Sequence, residues 1–147
     1  MHPPPLQALI EHFESLPEPE RREGLIDLAE AAPHCAPKPG ERFDFEQVRK
    51  DTECSDMVGI HLRRDAQGRM HLAVSLGRQV QTLTRALAVL LCRGLEGASA
   101  QEIAAVPADF IDRVAGGRLV TARGKTVYYM LNRIKEAAAG LLNQPVN

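Results

Sequence analysis

Two short stretches decide the fold: Met57-Val58-Gly59-Ile60-His61-Leu62 and, after the turn-forming Asp65-Ala66-Gln67-Gly68, Met70-His71-Leu72-Ala73-Val74-Ser75-Leu76. In both, apolar residues occupy the even positions, which is the period of a strand with one buried face. The intervening Asp and Gly supply turn chemistry, so the two strands form an antiparallel hairpin. Both apolar faces lie on even numbers, so they share one side only if the loop holds an odd number of residues. A loop of Asp65 to Gln67 sets Ile60 opposite Leu72 and His61 opposite His71.

Outward from the hairpin the period becomes helical. On the N-terminal side, Leu6, Leu9, Ile10 and Phe13 make a short amphipathic stripe that Pro17 and Pro19 end. Leu25, Ile26, Leu28, Ala29 and Ala32 make a second, stopped by Pro33, and the proline-rich residues 33–42 read as a loop. On the C-terminal side, Leu83, Leu87, Leu90 and Leu91 form a stripe ended by Gly94 and Gly97. Ser99 with Glu102 is a capping box, and Pro107 is a helix-start signal. Val127, Met130, Leu131, Ile134, Ala138 and Leu141 trace a long final helix with Lys125, Arg133, Lys135 and Glu136 on its wet side. Helices, a small antiparallel sheet, then helices make this an α+β fold.

The chain has 147 residues, 44% of them hydrophobic and 25% charged, enough for one domain with its own core. A net charge of −1 gives no footprint for nucleic acid or an anionic membrane surface. That total hides a split, because residues 1–46 hold ten acids and four bases while the remainder is net basic. The bland account is an acidic layer packed on a basic body; the sharper one is docking on a charged partner. No run is long enough to span a membrane and no export signal opens the sequence, so the expected location is the cytoplasm. Three cysteines at positions 35, 54 and 92 cannot form a complete disulfide framework within one chain and fit a reducing compartment.

The thiols are the candidate chemistry. Cys92 falls beside a helical apolar stripe, where a thiol packs as a small hydrophobe. Cys35 has His34 beside it but no second ligand pair, so zinc is weakly supported. Cys54 lies between the charged Arg49-Lys50-Asp51-Thr52-Glu53 and the first strand, where a thiol is exposed and available as a nucleophile. There is no P-loop, GxGxxG or HExxH, and nothing in the spacing supports a Ser-His-acid triad. His61 and His71 read as ordinary residues of the sheet's other face.

The segment Glu53-Cys54-Ser55-Asp56-Met57-Val58 resembles the SufE family's loop, Gly-Cys-Gln-Ser before a Val-bearing strand. The resemblance continues in order. Phe13 to Leu28 is similar to the family's N-terminal helices, and Leu83 to Ala88 to its Ile-Val-Arg/Lys-Gly-Leu helix. Gly97 to Ile103 is similar to its Gly-x-Thr-Pro-x-Glu-Ile turn, and Thr121-Ala122-Arg123 with Met130 and Ile134 to its C-terminal Ser-Arg and Met. It covers residues 6 to 139 or so, within a single SufE-like domain over 1–147 whose small antiparallel sheet is covered by helices, as in scaffolds of the IscU type.

The resemblance implies a sulfur carrier rather than an enzyme with its own turnover. Such proteins take persulfide sulfur from a PLP-dependent cysteine desulfurase (SufS-like), stimulate that enzyme, and pass the sulfur to an iron–sulfur scaffold (SufBCD-like). On this resemblance Cys54 is the persulfide acceptor, Arg123 gives electrostatic support, and Arg85 is structural or interfacial. No cofactor, resident metal, nucleic acid or membrane partner is implied. The chain departs from the pattern at Glu53, Ser55-Asp56, Gly59 and Val80. Like-charge repulsion from the acids flanking Cys54 is expected to raise its thiol pKa in the free protein, and a basic partner surface to activate it. The alternative is a U-type iron–sulfur or zinc scaffold using all three cysteines.

Overall fold

A computed structural model describes residues 2–50 and 57–143, with only the backbone at 122 and 123. In chain order the elements are α1 (Pro4–Ser15), α2 (Glu18–Glu30), a 3-10 turn (Ala32–Cys35), β1 (Phe45–Arg49), β2 (Val58–Arg64) and β3 (Met70–Leu76). Five helices follow: α3 (Thr82–Gly94), α4 (Ala100–Ala104), α5 (Phe110–Ala115), α6 (Gly117–Arg123) and α7 (Lys125–Leu142). The three strands form one antiparallel sheet in the order β1-β2-β3. The expected α+β architecture is therefore present.

Val58, Ile60 and Leu62 from β2, with Met70, Leu72 and Val74 from β3, are buried on one face, as their alternation requires. Their register differs from the expected one by a two-residue shift. Ile60 pairs with Val74, Leu62 with Leu72, and His61 with Ala73 rather than with His71. The loop is Ala66 to Gly68, with the Asp65 amide donating to the Arg69 carbonyl at 2.9 Å. Gly68 closes it at φ 79°, a conformation that suits glycine, and the Asp65 carboxylate accepts from the Gln67 and Arg69 amides at 2.9 and 3.0 Å. Parity was legible from alternation; the exact register came from the turn.

β1 carries no matching alternation, for a physical reason. Phe45 and Gln47 lie opposite Leu62 and Ile60, so the polar Gln47 shares their face while Val48 points away and is 55% exposed. Gln47 is there because Arg133, expected on the wet side of α7, is 3% exposed and donates to Gln47 Oε1 at 2.9 Å and to its carbonyl at 3.0 Å. A paired polar contact inverts the pattern on which strand recognition depends.

α3 is the centre of the molecule. Its buried residues run almost around the helix, from Leu83 and Thr84 to Cys92 and Gly94, because α1, α2, α7, β3 and the 3-10 turn all pack on it. α1 crosses closely at Gly94, where an added Cβ would meet the Leu6 Cα at 2.9 Å. Arg21 ties α2 to the end of α1 by donating to the carbonyls of Phe13, Glu14 and Leu16 at 3.0 to 3.1 Å. The capping box at Ser99 and Glu102 is formed as expected. The next helix starts at Phe110 rather than at Pro107, and α6 had no sequence signal of its own.

Candidate functional site

Cys54 lies outside the described residues, and so does the side chain of Arg123. The elements that bracket them are well defined. Arg49 and Val58 are register partners, and Val58 pairs in turn with Leu76, so β1 ends, β2 begins and β3 ends at one edge of the sheet. The Gly77 amide donates to the Met57 carbonyl at 2.9 Å, closing that edge.

α7 brings its N-terminus to the same end. Arg64, at the opposite end of β2, donates to the Leu141 carbonyl at 2.9 Å, and Arg133 reaches Gln47, the partner of Ile60. Eight helical residues span ~12 Å and four strand residues ~13 Å, so helix and strand keep pace. Eight further residues to Lys125 add another ~12 Å, more than the ~7 Å from Ile60 to Val58, so the start of α7 projects past that end of the sheet. α3 also starts at this end, directly after β3. The amino ends of two helices, where the macrodipole is positive, therefore lie at the sheet end where β1 stops and β2 begins.

Arg85, one of the residues matched to a basic family position, organises the neighbouring connection. It donates from Nε to the Val80 carbonyl at 3.0 Å and from Nη2 to the Gly77 and Arg78 carbonyls at 2.7 and 3.0 Å. Its role is to fix the path from β3 into α3. Val80, which stands where the family has an acid, is buried instead.

Residues 7–138, which include every element just described around that edge, match the family described as "SufE: Fe-S metabolism associated domain". The chain belongs to the SufE family. A solved structure of a hypothetical protein from Thermus thermophilus, determined in solution, has a TM-score of 0.78 with this chain at 26% identity, covering 98% of this chain and 100% of that one. No curated protein matches. Membership of the SufE family carries an association with iron–sulfur metabolism, and no described helix is long and apolar enough to cross a membrane.

On the sheet face away from the core, sequence reasoning missed a relay. Glu46 of β1 accepts from His61 Nδ1 at 2.7 Å, and His61 Nε2 hydrogen-bonds the Ser75 hydroxyl of β3 at 2.9 Å. His61 is only 6% exposed, beneath the ring of Phe43. This has the connectivity of a hydroxyl–imidazole–carboxylate triad, although the linear spacing supported none. Its hydroxyl does not stand free for attack, however: a Cβ at Gly59 would lie 2.1 Å from Ser75 Oγ, so the hydroxyl rests on the neighbouring backbone. The relay is a polar tie across three strands, and Gly59, which departs from the large family residue, makes the room for it.

His71 is at the other end of β3. Its Nδ1 contacts Glu96 and its Nε2 lies 2.9 Å from Asp65. Carboxylates only accept, so both ring nitrogens act as donors. Burial opposes that charge, but the hydrogen bonds to Asp65 and Glu96 outweigh it and raise the His71 pKa.

The remaining cysteines, treated singly in the sequence, come together. Cys35 on the 3-10 turn, which packs on α3, and Cys92 on α3 line one cleft, and each shifts the titration of the other. Cys92 donates, which with Arg93 lowers the Cys35 pKa to about 7 against the opposing effect of burial. Cys92 itself is pushed well up by Cys35 and by burial, and the first proton to leave the pair comes from Cys35. No local signal marks this pair, because long-range packing of the turn on α3 creates it. Among the described residues, no group of three or more His, Cys, Asp or Glu side chains is placed to hold a metal ion.

Proposed function

We propose that this SufE-family chain is a sulfur carrier in which Cys54 accepts sulfane sulfur from a PLP-dependent cysteine desulfurase and passes it to an iron–sulfur assembly scaffold. The observation that carries this reading is the family match over residues 7–138, which includes Cys54 in the sequence between the register partners Arg49 and Val58. The Cys54 thiolate attacks the outer sulfur of the desulfurase persulfide. The sulfur–sulfur bond of the donor breaks, its cysteine leaves as a thiolate, and Cys54 holds the persulfide. The chain supplies a nucleophile and a docking surface, and the desulfurase supplies turnover.

Two features support the reading. Helix amino ends at that end of the sheet favour an anion, and the family resemblance gives Arg123, the last residue of α6, as the formal charge that supports it. Val48 and Met57, 55% and 40% exposed, provide apolar contact area next to the segment.

Intact-mass measurement after incubation with a cysteine desulfurase and cysteine tests the reading. Wild type gains one sulfur atom, and Cys54→Ala gains none and no longer stimulates the desulfurase. Stimulation that survives Cys54→Ser would make the chain an adaptor that does not accept sulfur. Bound iron or zinc lost on mutating any of the three cysteines would make it a U-type scaffold.

A further inference from the structure

A second pair of thiols lies toward the hairpin end of the sheet, in an open cleft of about 510 Å³ lined by Cys35, Cys92, Arg93, Glu96, His71 and Arg63. Its two thiols differ in the way a redox couple requires. Cys35 is partly exposed on the 3-10 turn, and Cys92 is 8% exposed on α3. Both line the same cleft and the turn already packs on α3, so bonding requires no separate docking of the turn onto the helix. Arg93 favours the Cys35 thiolate, whereas Cys35 and burial disfavour ionisation of Cys92.

We propose that Cys35 is a site of oxidation by hydroperoxides and that Cys92 is its resolving thiol. The Cys35 thiolate attacks one peroxide oxygen, the O–O bond breaks, and Cys35 becomes a sulfenic acid as the peroxide is reduced to hydroxide or alkoxide. Cys92 then attacks the Cys35 sulfur and the S–O bond breaks. Its thiol proton leaves with the hydroxide as water, and a Cys35–Cys92 disulfide remains. The cysteines are oxidised by two electrons in total, all taken up by the peroxide. The bond joins the turn after α2 to the central helix, so oxidation is expected to raise thermal stability.

The test is treatment of wild type and Cys54→Ala with equimolar hydrogen peroxide, followed by denaturing alkylation and peptide mapping. The expected product in both is an intramolecular peptide pair joining Cys35 to Cys92, with the loss of two thiols and two hydrogens per chain. Cys92→Ala should yield Cys35 trapped by dimedone as the sulfenic acid. Should Cys92→Ala not fold, the mapping in Cys54→Ala decides alone. Retention of alkylatable Cys35 and Cys92, or cross-links only between chains, overturns the proposal. Because the assay uses neither desulfurase nor sulfur transfer, its outcome is independent of the role of Cys54.

Discussion

The buried guanidinium of Arg133 on α7 donates to both the side-chain and main-chain oxygens of Gln47 on β1, at 2.9 and 3.0 Å. That contact joins the last helix to the first strand and makes an otherwise unrecognisable strand part of the sheet. Arg133→Leu retains apolar bulk but removes these donors from partly buried acceptors, which costs on the order of 1–3 kcal/mol. Urea unfolding should show the loss as a lower midpoint with an unchanged slope.

Gly94 sits where α1 meets α3, and a Cβ there would lie 2.8 to 2.9 Å from three atoms of Leu6, the Cα among them. Backbone cannot yield as a side-chain tip does. Gly94→Ala should therefore destabilise by about 1–3 kcal/mol despite the better helix propensity of alanine. A melting temperature at or above that of wild type would show that α1 shifts without cost.

His71 should titrate above an ordinary histidine, because Asp65 and Glu96 hold its charged form. Its folded pKa is raised, so the stability it contributes is fully present below its unfolded pKa and is lost as pH rises through the folded one. Asp65 is shifted down, chiefly by its hydrogen bond to His71, so its contribution is present above its own unfolded pKa and is lost as pH falls through the folded one. NMR titration should show the His71 midpoint falling in Asp65→Asn. A midpoint unmoved by that change would mean that the ion pair does not persist in solution.

In a Cys54→Ala background, iodoacetamide should label Cys35 with a pH midpoint of about 7 while Cys92 stays protected until the chain unfolds. Cys92→Ala removes the donor that holds the Cys35 thiolate and should move the midpoint upward. Equal labelling of the two native thiols would contradict the arrangement of the pair.

Arg123→Ala should slow sulfur uptake by Cys54 about tenfold, the effect of roughly one unit of thiol pKa, with little change in melting temperature. Arg123→Lys keeps the charge and should recover most of the rate. If both variants behave as wild type in single-turnover transfer, the charge at 123 plays no part.

Alternation in Met57–Leu62 and Met70–Leu76, helical stripes at Leu6–Phe13 and Val127–Leu141, and the Ser99–Glu102 box were legible because each is a local pattern. Each requires only that one face be apolar or that one side chain reach a nearby amide, so neighbours in the chain carry the whole signal. The order of motifs around Cys54 made the family legible too. The hairpin's parity followed from alternation, but its register depended on Gly68 and the Asp65 carboxylate. Tertiary packing alone turned Arg133 inward, buried α3 on nearly every side, assembled Glu46, His61 and Ser75 across three strands, and set Cys35 against Cys92. Those partners are distant in sequence, and a polar pair that satisfies itself in the interior cancels the hydrophobic pattern that would have announced either member.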